Sequence, residues 1–266
     1  MKVIERNLQE IGKSLLVTLP KTWTKSLNLK KGSTIKMTIS EAGNLLIAPE
    51  FVKADEKKET TISYDDAFAK RFFNAYFEGN EKITITLKKE EQKLHDFLKK
   101  FMNVQIIEET GSKIVVKVFK IDELSIEECL KRMFYLSLNM FDEVGNKNQM
   151  KELKKSLIKF YYMLVMQIRR FLAEGKYTEE NQISLLRATD CRMVAEKIEK
   201  ISDLLSNNKT EQLKKIKEFY SKSFNVFLNN KFEDSLLLLK EEKELKNNEN
   251  TIQILKLAKD IGMLTK

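Results

Sequence analysis

Three carboxylates in one stretch of the chain have a spacing that could bind a cation. Glu196, Glu199 and Asp203 are three and four residues apart in RATDCRMVAEKIEKISDLL. This stretch has helical periodicity, so they share one helix face. Such carboxylates ligate a metal ion when another helix supplies the remaining ligands. They can equally pair with cations of their own helix, such as Lys197 and Lys200, and both interpretations stay open at this point.

The sequence contains few residues of the types that usually carry out catalysis. Its one histidine, His95, falls on the polar side of a predicted helix, and its two cysteines, Cys129 and Cys191, fit no metal or redox spacing. The sequence also contains no glycine-rich loop that would hold a phosphate. We therefore expect neither an enzyme nor a required cofactor, and we interpret His95 as a surface residue.

Composition and charge restrict the class of protein. With 42% hydrophobic and 33% charged residues over 266 positions, the chain is expected to fold into one to three domains. No apolar run approaches the roughly 18 residues of a membrane span, and the charged start is unlike a signal peptide. We expect a cytoplasmic protein that is not embedded in a membrane. The net charge of +9 favours an anionic partner, although general lysine enrichment would give the same value.

The first 52 residues differ in composition from the rest. They contain both prolines, Pro20 and Pro49, and the only tryptophan, Trp23, and they hold eight basic against four acidic residues. Apolar runs and turn residues predict the order strand, turn, strand, short helix, strand, hairpin, strand. So small a segment buries little apolar surface alone, so we predict a dimerising domain at residues 1–52.

This segment resembles the AbrB/SpoVT/MazE-like swapped-hairpin family of DNA-binding domains. The resemblance rests on GKS at 12–14, LPKTW at 19–23, the residues Leu27, Leu29 and Gly32, and the hairpin from Ile35 to Ile47. It implies a small barrel of interleaved hairpins from two chains. It also implies that this homodimer binds double-stranded DNA.

The resemblance also implies which residues contact DNA. Carried over by position, they are Arg6 on the first strand, Lys13 beside the glycine, Lys25 on the short helix and, as a weaker candidate, Lys21. The family often has arginine at the positions of Lys13 and Lys25. Lysine neutralises phosphate but lacks the fork that reads guanine, so we expect little sequence specificity.

Residues 59–120 are predicted to form a small α/β module. The pattern indicates a helix at 65–79, a strand at 82–87, a helix at about 90–102 and two strands at 104–109 and 113–119. We interpret this part as a connecting or interaction module.

Residues 122–266 are predicted to be entirely helical. Ser125 and Glu128 form a capping-box signature at the start of the first helix. Four further helices are predicted at about 148–174, 178–207, 210–229 and 231–262. Because the loops are short, neighbouring helices should pack antiparallel in a bundle.

This helical half resembles the PhoU family of phosphate-signalling proteins. The resemblance rests on RMVAEKIEKISD at 192–203, LKRMFYLSLNMF at 130–141 and FYYMLVMQIRR at 160–170. It implies that Glu199 and Asp203 ligate a divalent or iron-type metal ion. This chain departs from the family at Ile158, where the first repeat is expected to supply a ligating aspartate. We therefore favour pairing with Lys197 and Lys200, and keep metal binding as the alternative.

The whole chain thus resembles an archaeal fusion of the two families. The fold class is multidomain α+β: a dimeric swapped-hairpin barrel, a small α/β module and an all-α PhoU-like bundle. We expect a DNA-binding transcriptional regulator linked to phosphate uptake or signalling, whose bundle receives a signal or binds a phosphate transporter or sensor. One alternative is a dimeric adaptor of such a transporter that does not bind DNA. Another is an antitoxin-like module, against which the 214 residues after position 52 count.

Overall fold

The computed structural model describes residues 4–39, 43, 45–49, 58–88, 92–120, 124–174, 183–206, 213–245 and 249–265. It divides into two compact units. We call Met1–Glu56 the N-terminal unit and Lys57–Lys266 the C-terminal unit. The predicted boundary between residues 52 and 59 falls on the same part of the chain, whereas residues 59–120 and 122–266 are grouped in one unit.

The N-terminal unit has the predicted order of elements. These are β1 (Gln9–Ile11), β2 (Ser14–Leu16), α1 (Lys21–Ser26), β3 (Ile35–Ile39) and β4 (Leu45–Pro49). The strands pair antiparallel as two separate two-stranded sheets, β1 with β2 and β3 with β4. The described residues form no closed barrel, so the barrel implied by the resemblance is not made by one copy of the chain.

Apolar side chains of the N-terminal unit remain open to solvent. The alternation of TIKMTI places Ile35, Met37 and Ile39 on one face of β3. Met37 and Ile39 are exposed, as is Leu45 on β4. None of the side chains described in this unit is buried. The described residues of a single copy therefore form no hydrophobic core of the kind that normally stabilises a domain.

The C-terminal unit begins with a four-stranded sheet covered by two helices. The sheet order is β5-β6-β8-β7, with β5 parallel to β6 and the other pairs antiparallel. The core contains Phe72, Tyr76, Ile83, Ile85 and Leu94, all fully buried. The elements are β5 (Glu59–Ser63), α2 (Phe68–Phe77), β6 (Lys82–Thr86), α3 (Gln92–Leu98), β7 (Val104–Thr110) and β8 (Lys113–Val118).

The strand β5 was absent from the sequence prediction. Its sequence, ETTIS, is short and follows the charged run FVKADEKKE, so it carries almost no periodic signal. Its partner β6 lies about twenty residues further on, beyond α2, with Ile62 opposite Ile85. Pairing across this crossover, a contact distant in sequence, makes the segment a strand.

The remaining elements form a helical bundle. Predicted helices appear at four positions, but the predicted fifth helix over 231–262 is wrong, because two helices occupy that range. The first of these two helices ends at Glu244, with Leu245 as its C-cap. No described helix is long and apolar enough to cross a membrane. The helices are α4 (Ile126–Asp142), α5 (Lys147–Glu174), α6 (Leu185–Ser206), α7 (Leu213–Asn229), α8 (Phe232–Glu244) and α9 (Glu249–Gly262).

The start of α4 confirms the predicted capping box. The backbone N–H of Glu128 donates to Ser125 Oγ at 3.2 Å, and the backbone N–H of Ser125 donates to Glu128 Oε2 at 2.7 Å. These hydrogen bonds to Ser125 hold the pKa of Glu128 below its ordinary value. The cap therefore satisfies two backbone N–H groups that would otherwise lack partners.

The sheet and the bundle are packed against each other through α5. The Tyr162 ring lies 5.0 Å from the ring of Phe101 and is nearly parallel to it, and it also lies 5.0 Å from the ring of Phe73. Met166 is buried in the same cluster as the core of the sheet. This aromatic contact joins the sheet and the bundle within the C-terminal unit.

Candidate nucleic-acid interface

Lys13 lies at the tip of the first hairpin. Ile11 is opposite Ser14 in the β1–β2 pair, so Gly12 and Lys13 are the two residues of the turn. Gly12 has φ +66°, a left-handed value that glycine adopts without strain. A positive φ at only the first central position is the pattern of a type II′ hairpin turn. The side chain of Lys13 in this turn is exposed.

Lys21 and Lys25 lie on the short helix α1. The backbone N–H of Thr24 donates to the Pro20 oxygen at 3.0 Å, and Pro20 has φ −64° with extended ψ. Pro20 is therefore the N-cap, and Lys21 is the first helical residue, one residue after the proline that was expected to hold that position. The four-residue spacing places both lysines on one side of the helix, and both are exposed.

Arg6 lies outside the strand on which it was predicted. β1 begins three residues later, at Gln9, and the Nη1 group of Arg6 donates to the backbone oxygen of Glu5 at 3.1 Å. Arg6 is nevertheless exposed. A single chain thus brings Lys21 and Lys25 together on one helix, and it places Arg6 and Lys13 on separate segments.

The four predicted DNA contacts are electrostatically available. Within the described ranges, none of these cations has a carboxylate within 4.0 Å. An exposed cation without an acidic partner can neutralise a phosphate without first breaking an ion pair. Their role in DNA binding stays a prediction, and this geometry is compatible with it.

The predicted acidic site has a cation of the protein's own. Lys154 Nζ on α5 lies 2.9 Å from Glu199 Oε1 and 2.7 Å from Asp203 Oδ1 on α6. It also donates to Ser202 Oγ at 2.7 Å and to the Glu199 backbone oxygen at 3.3 Å. The ammonium group thus lies among four oxygens that belong to one turn of α6.

This arrangement differs from both interpretations drawn from the sequence. We expected Glu199 to pair with Lys197 or Lys200, but Lys197 pairs with Asp260 on α9 at 3.5 Å. Residues 124–174 and 183–206, like the other described ranges, contain no group of three histidine, cysteine or carboxylate side chains that could hold a metal. Metal binding at Glu199 and Asp203 stays a prediction, and it requires Lys154 to leave.

Sequence reasoning missed Lys154 because its partners are about 45 residues away along the chain. Helical spacing identifies neighbours within one helix only, whereas this contact joins α5 to α6. The same limit applies to His95, whose Nε2 lies 2.9 Å from Glu109 Oε1 on β7. His95 is thus a partly exposed link between α3 and the sheet.

Comparison with known proteins gives one match. Residues 8–55 match the family described as "Antidote-toxin recognition MazE, bacterial antitoxin". No curated protein and no solved structure matches the chain. The chain therefore carries a MazE/AbrB-like domain at its N-terminus and a helical region towards its C-terminus. Such a domain fits a DNA-binding regulator at a coarse level, and the similarity of residues 122–262 to PhoU stays a prediction.

Proposed function

We propose that this protein is a homodimeric, cytoplasmic regulator of transcription and not an enzyme. Two N-terminal units bind double-stranded DNA, mainly at phosphates, through Arg6, Lys13 and Lys25, with Lys21 as a weaker contact. The helical region receives a signal or binds a partner protein. Its similarity to the PhoU family points to phosphate uptake or signalling as the process under control.

The observation that carries this proposal is the MazE-like match at residues 8–55, which coincides with a unit that exposes both cations and apolar side chains. Exposed apolar residues such as Met37 and Ile39 mark surface that a second copy can cover. Exposed cations without acidic partners supply phosphate contacts. Dimerisation doubles these contacts, as DNA binding by a small unit requires.

The test is the binding of the full chain to duplex DNA from its own upstream region and to scrambled DNA, measured by fluorescence anisotropy over a salt series. The variant is Lys13→Ala/Lys25→Ala. In a dimer it removes about four phosphate contacts, so the slope of log K against log salt should fall by about 3 to 4. The ratio of upstream to scrambled affinity shows whether sequence is read.

A matched control is Lys30→Ala/Lys31→Ala, which removes the same charge from an exposed turn of the same unit. The control should retain more affinity and a steeper slope than the Lys13/Lys25 variant. Equal losses in both variants would mean that only total charge matters, and the assignment of contacts would fail. Absence of binding by the wild type at low salt would overturn the proposal and favour the dimeric adaptor.

The family description favours one further candidate. The matched family recognises toxins by its printed description, so an antitoxin function, with a protein as the partner of the N-terminal unit, is the second proposal. It predicts that a co-expressed partner protein is retained by residues 1–56 alone. The proposal of a DNA-binding regulator does not require any protein partner to bind residues 1–56.

A further inference from the structure

A groove rich in lysine lies on the C-terminal unit, and none of the predicted DNA contacts lines it. It has a volume of about 1330 Å³ and runs between the end of α3 and the first half of α5. Seven lysines and only two carboxylates, Asp96 and Glu152, line it. A concave surface with this charge excess concentrates anions, because its walls focus the field.

The lysines on the α5 side follow a regular spacing. Lys147, Lys151, Lys155 and Lys159 are each four residues apart, which is about 6 Å along a helix axis. Like charges at this spacing repel and destabilise a helix. An anion lying along the row would remove this repulsion. Lys99 and Lys100, at the end of α3, line the same groove.

Several of these cations are available to a ligand. Lys154 is held by Glu199, and Lys155 pairs with Glu152 at 2.6 Å. In contrast, Lys147, Lys151 and Lys159 have no carboxylate within 4.0 Å among the residues that the structure describes. The pKa of Glu152 lies below its ordinary value because Lys155 donates a hydrogen bond to it and because nearby lysines add positive charge.

We propose that this groove binds an anion that carries several phosphate groups in a row, with Lys147, Lys151 and Lys159 as its main contacts. A lysine ammonium is a compact charge that suits phosphate, and the flexible four-carbon stems of neighbouring lysines let their ammonium groups converge on consecutive phosphates. The groove has walls on both sides, so it admits a narrow anion rather than a duplex, whose phosphates lie on a broad convex surface. The proposal adds a ligand to the proposed regulator, and its first measurement, the binding of tripolyphosphate, uses no DNA.

Two kinds of compound carry such a row of phosphate groups: inorganic polyphosphates and nucleoside polyphosphates. The groove is also lined by apolar atoms of Met150, Ile158 and Tyr162. A nucleoside could contact these side chains while its phosphates contact the lysines. Tripolyphosphate and ATP therefore carry the same phosphate chain and differ only in the part that would touch the apolar side chains.

The experiment is calorimetric titration of the full chain at low salt, without divalent cations, with tripolyphosphate, ATP and inorganic phosphate. We expect saturable binding of tripolyphosphate near one per chain, and much weaker binding of inorganic phosphate. The variant Lys147→Gln/Lys151→Gln/Lys159→Gln should weaken binding at least about tenfold, because three charges are lost. Tighter binding of ATP than of tripolyphosphate assigns the nucleoside source, and equal or weaker binding assigns the inorganic one.

The matched control is Lys214→Gln/Lys215→Gln/Lys240→Gln, which removes the same charge from exposed positions of α7 and α8. It should bind tripolyphosphate within about twofold of the wild type, since distant surface charges are screened. All variants should melt near the wild-type temperature by circular dichroism, because the substitutions remove charges from exposed or partly exposed positions. Equal weakening in control and groove variants would overturn the proposal, as would the absence of saturable binding.

Two further variants separate this proposal from DNA binding. Lys13→Ala/Lys25→Ala should bind tripolyphosphate as the wild type does, which shows that the site is not on the N-terminal unit. The groove variant should retain duplex DNA binding. A groove variant that loses DNA binding, in a protein that does not bind tripolyphosphate, would assign these lysines to DNA and overturn the proposal.

Discussion

Met37 and Ile39 of the N-terminal unit leave 63% and 75% of their surface exposed, whereas Phe72 and Phe224 of the C-terminal unit leave 0% and 1%. Both units have alternating or periodic apolar residues, so their sequence patterns predict a hydrophobic core in each unit. Only the C-terminal unit builds one from a single chain. The N-terminal unit presents the same kind of residues to its surroundings, which is the behaviour expected of half of a dimer.

The largest expected effect tests the self-sufficient core of the C-terminal unit. The ring of Phe224 on α7 stacks on Phe134 of α4 at 3.8 Å, so Phe224→Ala should lower the free energy of unfolding by about 3–5 kcal/mol. Urea unfolding followed by circular dichroism measures it. Leu237→Ala, at an exposed position on α8, should change it by no more than about 0.5 kcal/mol. Similar costs for both would deny that this core carries the stability.

The next prediction concerns the exposed face of the N-terminal unit. If a second copy covers Ile39, Ile39→Asn should weaken dimerisation about 10- to 100-fold, which is about 1.4–2.8 kcal/mol. Lys36→Asn, on the opposite face of the same strand, should have little effect. Sedimentation equilibrium of the full chain measures both. A wild type that remains monomeric at every accessible concentration would contradict this explanation of the exposed face.

Trp23 gives a second readout of the same comparison. It is the only tryptophan of the chain, so its fluorescence reports the N-terminal unit, whereas circular dichroism reports mainly the helices of the C-terminal unit. The unfolding midpoint by fluorescence should rise with protein concentration, because dimerisation stabilises by mass action. The midpoint by circular dichroism should not change.

A smaller effect is expected at the ion pair between α5 and α6. Lys154→Ala leaves Glu199 and Asp203 without their ammonium partner and should cost about 1–3 kcal/mol. Lys155→Ala removes only an exposed pair with Glu152 and should cost at most about 1 kcal/mol. Both are read from thermal melting.

The same variant tests the metal prediction. If Glu199 and Asp203 can ligate a divalent cation, Mn²⁺ should raise the melting temperature of Lys154→Ala and leave that of the wild type unchanged. Equal stabilisation of the wild type and the variant would show that the ion binds elsewhere. Stabilisation of neither would remove metal binding from these residues.

The last effect depends on pH and is negligible below pH 9. Burial raises the pKa of Cys129 and of Cys191 from 9.0 to about 12. The unfolded thiols lose their protons at lower pH than the folded ones, so stability falls as pH rises. Each thiol should lower the unfolding free energy by about 1.4 kcal/mol per pH unit above pH 9. Burial also raises the pKa of Tyr76 and Tyr220, which acts in the same direction.

Urea unfolding at pH 7.5, 9 and 10, followed by circular dichroism, measures this loss. A variant with both cysteines replaced by alanine should lose stability less steeply, and an unchanged slope would contradict the thiol explanation. The N-terminal unit contains neither cysteine nor tyrosine, so the fluorescence of Trp23 should not report the same loss.

The sequence predicted local structure well where the signal is local. Periodicity and turn residues predict the strand–helix order of the N-terminal unit and most helices of the bundle. The cap joins Ser125 and Glu128, which are only three residues apart, so it can also be predicted from the sequence. The sequence failed at β5 and at the break between α8 and α9. Strand β5 forms by pairing with β6, which lies about twenty residues further along the chain. Between α8 and α9 the apolar periodicity of the sequence continues, so periodicity does not indicate that one helix ends and another begins.

Residue types and spacing alone determined that the first 52 residues form a basic segment distinct from a mainly helical remainder, and they predicted that this segment dimerises. They also placed Glu199 and Asp203 on one helix face. Only the tertiary structure decided that Lys154 from α5 lies between these carboxylates, and that five lysines of α5 line a groove opposite Lys99 and Lys100. Spacing fixes which side of a helix a residue occupies, but packing fixes what lies opposite that side, and the chemistry of a site depends on both.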